Sequence, residues 1–354
     1  MELGGGSDII RSMFDVITIG TATRDVFLQS KFFRVVHDPQ HLRRLGFPAG
    51  DAQCFALGAK IQVGPPVLSV GGGAANASVT FARQGLKTGA VVGIGKDANG
   101  RAALADLAGE RVKPFPIYDP KQMTGYSVIL LSPDGERTIL HYRGASQDVK
   151  GTEPIIGRAR AKWIYISPGG IPLAAMEKIA RHFRRGGSRI AMNPSNEYLK
   201  MGAGKLKFLL SALDVILLNR EEAAYLTGAP YRNERGIFKK FDELVKGIAV
   251  MTDGPKGVFV SDGKEMHQAG IFREKKIADR TGAGDAFGSG FVSVLARSSA
   301  RGKYSPAVLK EAIRTGSANA TSVVEKIGAQ TGVLRRSELR AARWNGLKIK
   351  TTKF

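Results

Sequence analysis

Asp15-Val16-Ile17-Thr18-Ile19-Gly20 is a short apolar run, rich in β-branched residues and closed by glycine, and it reads as a buried β-strand. Further along come a helical pattern over 74–84 and a second strand-like run over 88–94. The alternation continues with strand-like runs at 163–166, 190–192, 215–218 and 248–251, separated by helical patterns such as 173–184 and 233–245. Parallel strands need a long crossover, usually a helix, so strand and helix units repeated at this spacing predict an α/β fold. Its sheet is mostly parallel, with helices on both faces.

Two segments break the alternation. Residues 124–131 and 137–142 flank Ser132-Pro133-Asp134-Gly135-Glu136, an Asp-Gly turn between β-rich arms, and predict a hairpin. Residues 59–63 and 67–70, broken by Gly64-Pro65-Pro66, read as another strand-like pair. Antiparallel pieces in such a chain suggest a small accessory sheet, and a lid over a cleft is one use for it. The lid strands are expected from about 26–70 and 123–143, with 29–56 an irregular insertion, within one domain spanning 15–334. Residues 335–354 read as a basic C-terminal tail.

The 354 residues suffice for a sizeable core, and 43% hydrophobic with 24% charged residues argues against a disordered or fibrous chain. Cys54 is the only cysteine, which excludes an intramolecular disulfide and a cysteine-rich zinc site. The five histidines, His37, His41, His141, His182 and His267, make no HExxH pair. With no signal-peptide pattern and no apolar run of ~18 residues, the protein is expected in the cytoplasm and away from membranes. The net charge of +22, most of it beyond residue 150, favours anionic partners. Because zinc-finger spacing, RNP-like aromatics and a basic heptad are all missing, the charge reads as a solvated surface, and nucleic acid is not an expected partner.

No GxxxxGK[ST] occurs, and Gly20 is followed by Thr21-Ala22-Thr23-Arg24-Asp25 rather than GxGxxG, so Walker-type hydrolases and Rossmann dehydrogenases lose support. The strongest chemical signal is Asp279-Arg280-Thr281-Gly282-Ala283-Gly284-Asp285-Ala286-Phe287, which runs into a helical pattern over 287–296. Small residues before a helix leave backbone N–H groups exposed at the positive end of its dipole, a site for phosphoryl oxygens, and Asp285 falls beside it. Capping alone does not require Gly282, Ala283 and Gly284 together.

This segment resembles the signature of the ribokinase, or PfkB, family of carbohydrate and nucleoside kinases, usually written DTxGAGD. Gly71-Gly72-Gly73-Ala74-Ala75-Asn76-Ala77, followed by Gly95-Lys96-Asp97 and Gly100, is similar to that family's N-terminal glycine-rich pattern. The likeness covers 15 to about 334, with the motifs in family order. It implies a ribokinase-like three-layer sandwich with a mostly parallel central sheet and a small β lid.

Carried over residue by residue, the resemblance implies that Asp285 is the catalytic base and that the amides of Gly282, Ala283 and Gly284 form an anion hole. Asp25, Gly71, Gly72 and Asn76 would hold substrate hydroxyls. Asn193, Asn219, Thr252, Gly254, Gly257 and Asn319 would bind the nucleotide, and Glu222 would organise Mg²⁺ through water. Asp279, Thr281, Lys326 and Gly328 match a monovalent-cation site of some members, which makes K⁺ a candidate cofactor, although Gly332 replaces a frequent Ser. Arg143, after the lid hairpin, is positioned by sequence to reach a polar or anionic sugar.

The implied reaction moves the γ-phosphoryl of ATP to a primary hydroxyl of a sugar, as in fructokinases and ribokinases. A nucleoside kinase is the alternative, with Phe32, Phe33, Phe47 and Phe55 of the insertion covering a base. A non-catalytic polyanion-binding protein on the same fold is a third reading. Gly73 stands where ribokinases proper carry Lys, which shifts the reading from ribose towards fructokinase-like or nucleoside-kinase-like members, and Arg280 stands where Thr is usual. An exposed lid edge makes a lid-to-lid homodimer the expected assembly.

Overall fold

A computed structural model describes residues 13–46, 50–132, 136–147, 149, 153–298 and 303–353. The first part of the chain comprises β1 (Phe14–Thr21), β2 (Thr23–Gln29), β3 (Arg34–His37), α1 (Pro39–Arg44), β4 (Asp51–Cys54), β5 (Val67–Gly71), α2 (Gly73–Arg83), β6 (Thr88–Gly95), α3 (Ala98–Gly109), β7 (Val112–Asp119), β8 (Gly125–Leu131) and β9 (Arg137–Tyr142). Then come α4 (Glu153–Ile156), β10 (Ala161–Ser167), α5 (Leu173–Arg185), β11 (Arg189–Met192), α6 (Asn196–Leu199), α7 (Gly202–Ser211), β12 (Val215–Asn219), α8 (Arg220–Thr227), α9 (Glu234–Leu244) and β13 (Ile248–Thr252). The chain ends with β14 (Val258–Ser261), β15 (Glu265–Ala269), α10 (Ala283–Arg297), α11 (Pro306–Val324) and β16 (Ile349–Lys353).

Ten strands form the main sheet in the order β16-β15-β14-β13-β12-β11-β10-β1-β6-β7. Strands from β7 across to β13 run parallel, and β14, β15 and β16 are added antiparallel at one edge. The parallel strands read as unbroken apolar runs because both faces are covered. Ile17, Ile19, Ile164 and Ile166 pack with Phe183, Phe238 and Phe241 on one side, while Val16, Trp163 and Tyr165 pack with Phe81, Phe291 and Ile313 on the other. The period-2 alternation of strand side chains thus feeds two cores, giving three layers.

A second sheet, β5-β2-β8-β9, supplies the accessory layer. The hairpin of β8 and β9 forms in antiparallel register, closed by Ser132 N–H donating to Glu136 O at 2.9 Å; the Asp134-Gly135 turn itself lies outside the described residues. The other expected strand pair does not form. Residues 59–63 are irregular, and β5 pairs antiparallel with β2 instead. Gly64 N–H and Gln62 O bond Gln29 O and Ser30 Oγ, so this stretch is tied to the end of β2 and makes no ladder of its own. The insertion is also more regular than its Pro and Gly content suggests, since β3 and β4 pair antiparallel around the short helix α1.

The C-terminal stretch is not a free tail. β16 pairs along its whole length with β15, and Trp344 is buried against Phe272. No helix among the described residues is long and apolar enough to cross a membrane.

Candidate active site

The C-terminal ends of the parallel strands converge with the starts of α2 and α10, the position where open α/β sheets bind ligands. Asp285 sits in the first turn of α10, and Asn76 on α2, which packs against it. Asn76 Nδ2 donates to Asp285 Oδ2 at 2.9 Å, and Gln330 Nε2 donates to Asn76 Oδ1 at 3.1 Å. The amide of Asn76 is thereby held with its donor edge towards the carboxylate. Burial pushes the Asp285 carboxyl above the usual carboxylate range, and the Asn76 hydrogen bond opposes that rise.

The glycine-rich turn makes this close approach possible. Gly72 has φ +91, and a Cβ there would lie 2.6 Å from Thr21 O. A Cβ on Gly73 would lie 2.1 Å from Ser167 Oγ and 3.2 Å from Asp285 Oδ1, so the backbone of 73 lies directly beside the carboxylate. Gly71 yields its side-chain space to Asp25, whose Oδ2 would be 1.9 Å from a Cβ at 71. Asp25 is buried on the inner face of β2 and accepts from Thr23 Oγ1 at 2.8 Å. Burial raises its pKa, with Asp279 adding to the rise and Thr23, Ser127 and His141 opposing it. Asp25, Ser127 and His141 occupy one row across the lid strands, and Ser127 Oγ lies 3.1 Å from His141 Nδ1.

Beside this cradle opens a cleft of about 420 Å³. Ala283 and Gly284 bring the first turn of α10 into it, and Asn219, Thr252, Gly254 and Gly257 also line it. The first amides of a helix have no intrahelical partners, so this turn presents donors to an anion. Gly282, the N-cap, has φ +79, and a Cβ there would lie 2.4 Å from Ala329 Cβ, so both backbone and space demand glycine. Gly257 likewise has φ +98 and abuts Ala269 O, at 2.0 Å from a Cβ. Arg137, from the lid strand β9, and Arg280 also line the cleft; Arg280 Nε lies 3.5 Å from Glu136 Oε1, while Nε of Arg137 has no acceptor among the described residues.

Not every residue singled out by sequence reaches the cleft. Asn319 is buried in α11 and spent on packing, with Nδ2 donating to Ala286 O at 2.8 Å and Oδ1 accepting from Leu334 N at 2.9 Å. Its helix reaches the cleft through Ser317, Ala320, Thr321 and Val324. Asn193 donates from Nδ2 to Leu217 O at 2.8 Å, joining the ends of β11 and β12. Arg143 is paired with Glu197 of α6 on a half-exposed rim. Phe33 packs edge-on against Phe55, with ring centroids 5.6 Å apart, Phe32 is exposed, and Phe47 lies outside the described residues.

Asn219 and Glu222 form a reciprocal capping box on α8. Glu222 N donates to Asn219 Oδ1 at 2.8 Å, and Asn219 N donates to Glu222 Oε2 at 2.9 Å. Oε1 of Glu222 carries no hydrogen bond among the described residues, which leaves one carboxylate oxygen for a hydrated cation, a donor set that suits Mg²⁺ when phosphates supply further oxygens. Asp279, Thr281 and Gly328 do cluster. Asp279 is fully buried and accepts from Thr281 N at 2.9 Å and Gly328 N at 3.1 Å, while Thr281 Oγ1 is buried without a partner. That orphaned oxygen beside a buried carboxylate fits a cation of low charge density. Among the described residues there is no group of three or more His, Cys, Asp and Glu arranged for a metal.

Sequence reading missed Gln330, Ser127, His141 and Arg137. Each is a lone polar residue with no spacing signal, and only the tertiary fold brings it to the site.

Comparison with known proteins bears on the same geometry. The profile described as pfkB family carbohydrate kinase matches residues 46–336. A ribokinase of Haemophilus influenzae is 31% identical over 281 residues, 77% of this chain and 86% of that protein. A cytidine kinase of Thermococcus kodakarensis is 27% identical over 75% of this chain and 91% of its own. The structure of Arabidopsis thaliana ribokinase complexed with ribose and ATP superposes with a TM-score of 0.71 at 20% identity, covering 95% of this chain and 100% of that one, and so shares the fold. With the two glycine-rich turns and the polar cradle already in view, these matches make the chain a member of the ribokinase/PfkB family and an ATP-dependent carbohydrate kinase.

Proposed function

We propose that the acceptor is a sugar, phosphorylated on a primary hydroxyl, with Asp285 as base. The observation that carries this reading is the hydrogen-bonded pair of Asn76 and Asp285 at one end of the glycine-rich turn, with Asp25 against Gly71 of the same turn. Carboxylates and a carboxamide arranged around one turn match sugar hydroxyls, which donate and accept in turn. The burial of Phe33 against Phe55 also favours a sugar, because the Phe33 ring is then not free to stack on a base.

In the proposed reaction the primary hydroxyl oxygen bonds to Pγ as the bond from Pγ to the bridging oxygen of ADP breaks, and the hydroxyl proton passes to Asp285. The transition state of such transfers is loose, so positioning and charge neutralisation do most of the work. Amides of Gly282, Ala283 and Gly284 would hold the migrating phosphoryl oxygens, with Asn219, Thr252, Gly254 and Gly257 along the nucleotide. Mg²⁺ would be held by Glu222, directly or through water, and supplies charge neutralisation to the phosphates when bound. Asp279, Thr281 and Gly328 would hold K⁺ behind the anion hole. Exposed Leu68, Leu140 and Tyr142 on the lid sheet support a lid-to-lid dimer.

A nucleoside is the second reading, favoured by the cytidine kinase relative and by exposed Phe32. ADP release from Mg·ATP across fructose, ribose, 2-keto-3-deoxygluconate, adenosine, inosine and cytidine, with and without K⁺, tests both. Turnover with sugars alone supports the proposal, and turnover with nucleosides alone overturns it.

A further inference from the structure

The family match ends at residue 336, yet the chain continues in folded form to Lys353. We propose that residues 337–353 are a strap that fixes the far wall of the nucleotide cleft, with Arg343 as the positioning residue. The proposal rests on the reading of the 420 Å³ cleft as the nucleotide site.

Two pieces of chain make that wall. Ile271 and Glu274 come from the segment after β15, and Ser317, Thr321 and Val324 from α11. Residues 271–280 have no regular secondary structure, so no ladder or helix of their own holds them in place. Their end is tied to α11 directly, with Ala278 N and Asp279 N donating to Val324 O at 2.8 and 3.2 Å, and their start, 271–275, is held by the strap. Phe272, next to Ile271, packs edge-on against Trp344 with ring centroids 5.2 Å apart, and both are buried with Ala318 and Leu334. Arg343 joins the two pieces directly. Its Nη1 donates to Glu325 Oε2 at 2.9 Å, and its Nη2 donates both to Glu325 Oε1 and, at 3.1 Å, to Arg273 O. Glu325 follows Val324 at the end of α11 and also accepts from Lys275 N at 2.7 Å.

One guanidinium and one carboxylate therefore tie the irregular segment to the helix end, immediately behind the residues that face the cleft. A forked pair of this kind fixes direction as well as distance, which a lysine in the same place would not. The Glu325 side chain is only 9% exposed and that of Arg343 27%, so the pair is partly sheltered from solvent screening. Beyond Arg343, the strap is anchored by the pairing of β16 with β15, where His267 Nδ1 lies 2.9 Å from Thr351 Oγ1.

The test is calorimetric titration of the full chain with Mg·AMP-PNP, which needs no knowledge of the acceptor. Arg343→Ala is expected to weaken nucleotide binding about tenfold, which is about 1.4 kcal/mol. Arg343→Lys should give a smaller loss, and Lys350→Ala, exposed on β16, none. Hydrogen exchange over 271–280 should rise in Arg343→Ala along with the affinity loss. If Arg343→Ala does not fold, the affinity of Arg343→Lys decides. Ala320→Trp, which fills the cleft, separates the two ideas. Lost binding there with unchanged affinity in the Arg343 variants overturns the strap alone, and unchanged affinity in all of them overturns the cleft reading with it.

Discussion

Asn76 donates to Asp285 at 2.9 Å, so two helices far apart in the chain meet on one carboxylate. The arrangement does two things at once. It orients Asp285 at the positive end of α10, and it keeps an ionised form available despite burial that favours protonation. The base proposed here needs both.

Asp285→Asn should therefore lower turnover by about 10² or more, the scale of general base catalysis, while leaving nucleotide binding largely intact. Steady-state kinetics with calorimetry of Mg·AMP-PNP binding checks this. A variant with near-normal turnover would remove Asp285 from the proton transfer.

The same substitution makes a prediction about stability. Burial raises the Asp285 pKa in the folded protein, so between the unfolded and folded values the native state binds more protons, and stability falls as pH rises through that window. Above the folded pKa the penalty is complete. Asp285→Asn has no such penalty, so its melting temperature at neutral pH should equal or exceed that of the parent, and the gap should narrow as the buffer is made acid. A variant that melts well below the parent at neutral pH would show that the carboxylate is stabilising and contradict this account.

Arg220, behind the residues proposed for the nucleotide, offers a test of stability. It is buried at the start of α8, with Nη2 donating to Glu234 Oε1 at 2.7 Å and Nε 3.0 Å from Asp253 Oδ2, and it lies over the rings of Tyr231 and Phe259. Removing one partner of a buried pair strands the other, so Arg220→Ala should cost about 3–5 kcal/mol in denaturant unfolding. A loss under about 1 kcal/mol, the range of exposed pairs, would mean that Asp253 finds water instead.

How much of this was legible in the sequence depends on the kind of signal. β1 and β10 to β13 announce themselves because both faces are buried and the runs are continuously apolar. Gly282 and Gly72 are legible because positive φ and close packing leave glycine no substitute there. The insertion is not, since β3 is exposed along its length and has no apolar alternation to read. Residues 59–63 have strand-like composition but no partner, because β2 is already paired with β5 and β8. The C-terminal stretch looks like a solvated basic tail because its anchor, the contact of Trp344 with Phe272, is a tertiary fact carried by one aromatic residue. Gln330 escapes for the same reason, since what brings its side chain to the site is the bond it gives Asn76.

Gly73 gives the sharpest test of the cradle, because one methyl group should disturb it. A Cβ at 73 would sit 2.1 Å from Ser167 Oγ and 2.9 Å from Ser167 Cβ, so rotating the hydroxyl away does not relieve the clash. Either β10 or the first turn of α2 must shift, and the latter carries Asn76 with it. Gly73→Ala should then lower kcat/KM for the acceptor by up to ~10², the cost of a shift near 1 Å, with nucleotide affinity little changed. Adding Ser167→Gly removes both clashing atoms and should restore much of the loss. Recovery in the double variant would identify packing of α2 against the end of β10 as what sets the cradle. A double variant no better than Gly73→Ala alone would overturn the Ser167 clash and leave the loss to the 3.2 Å contact with Asp285 Oδ1 or to a role of Ser167 towards the substrate.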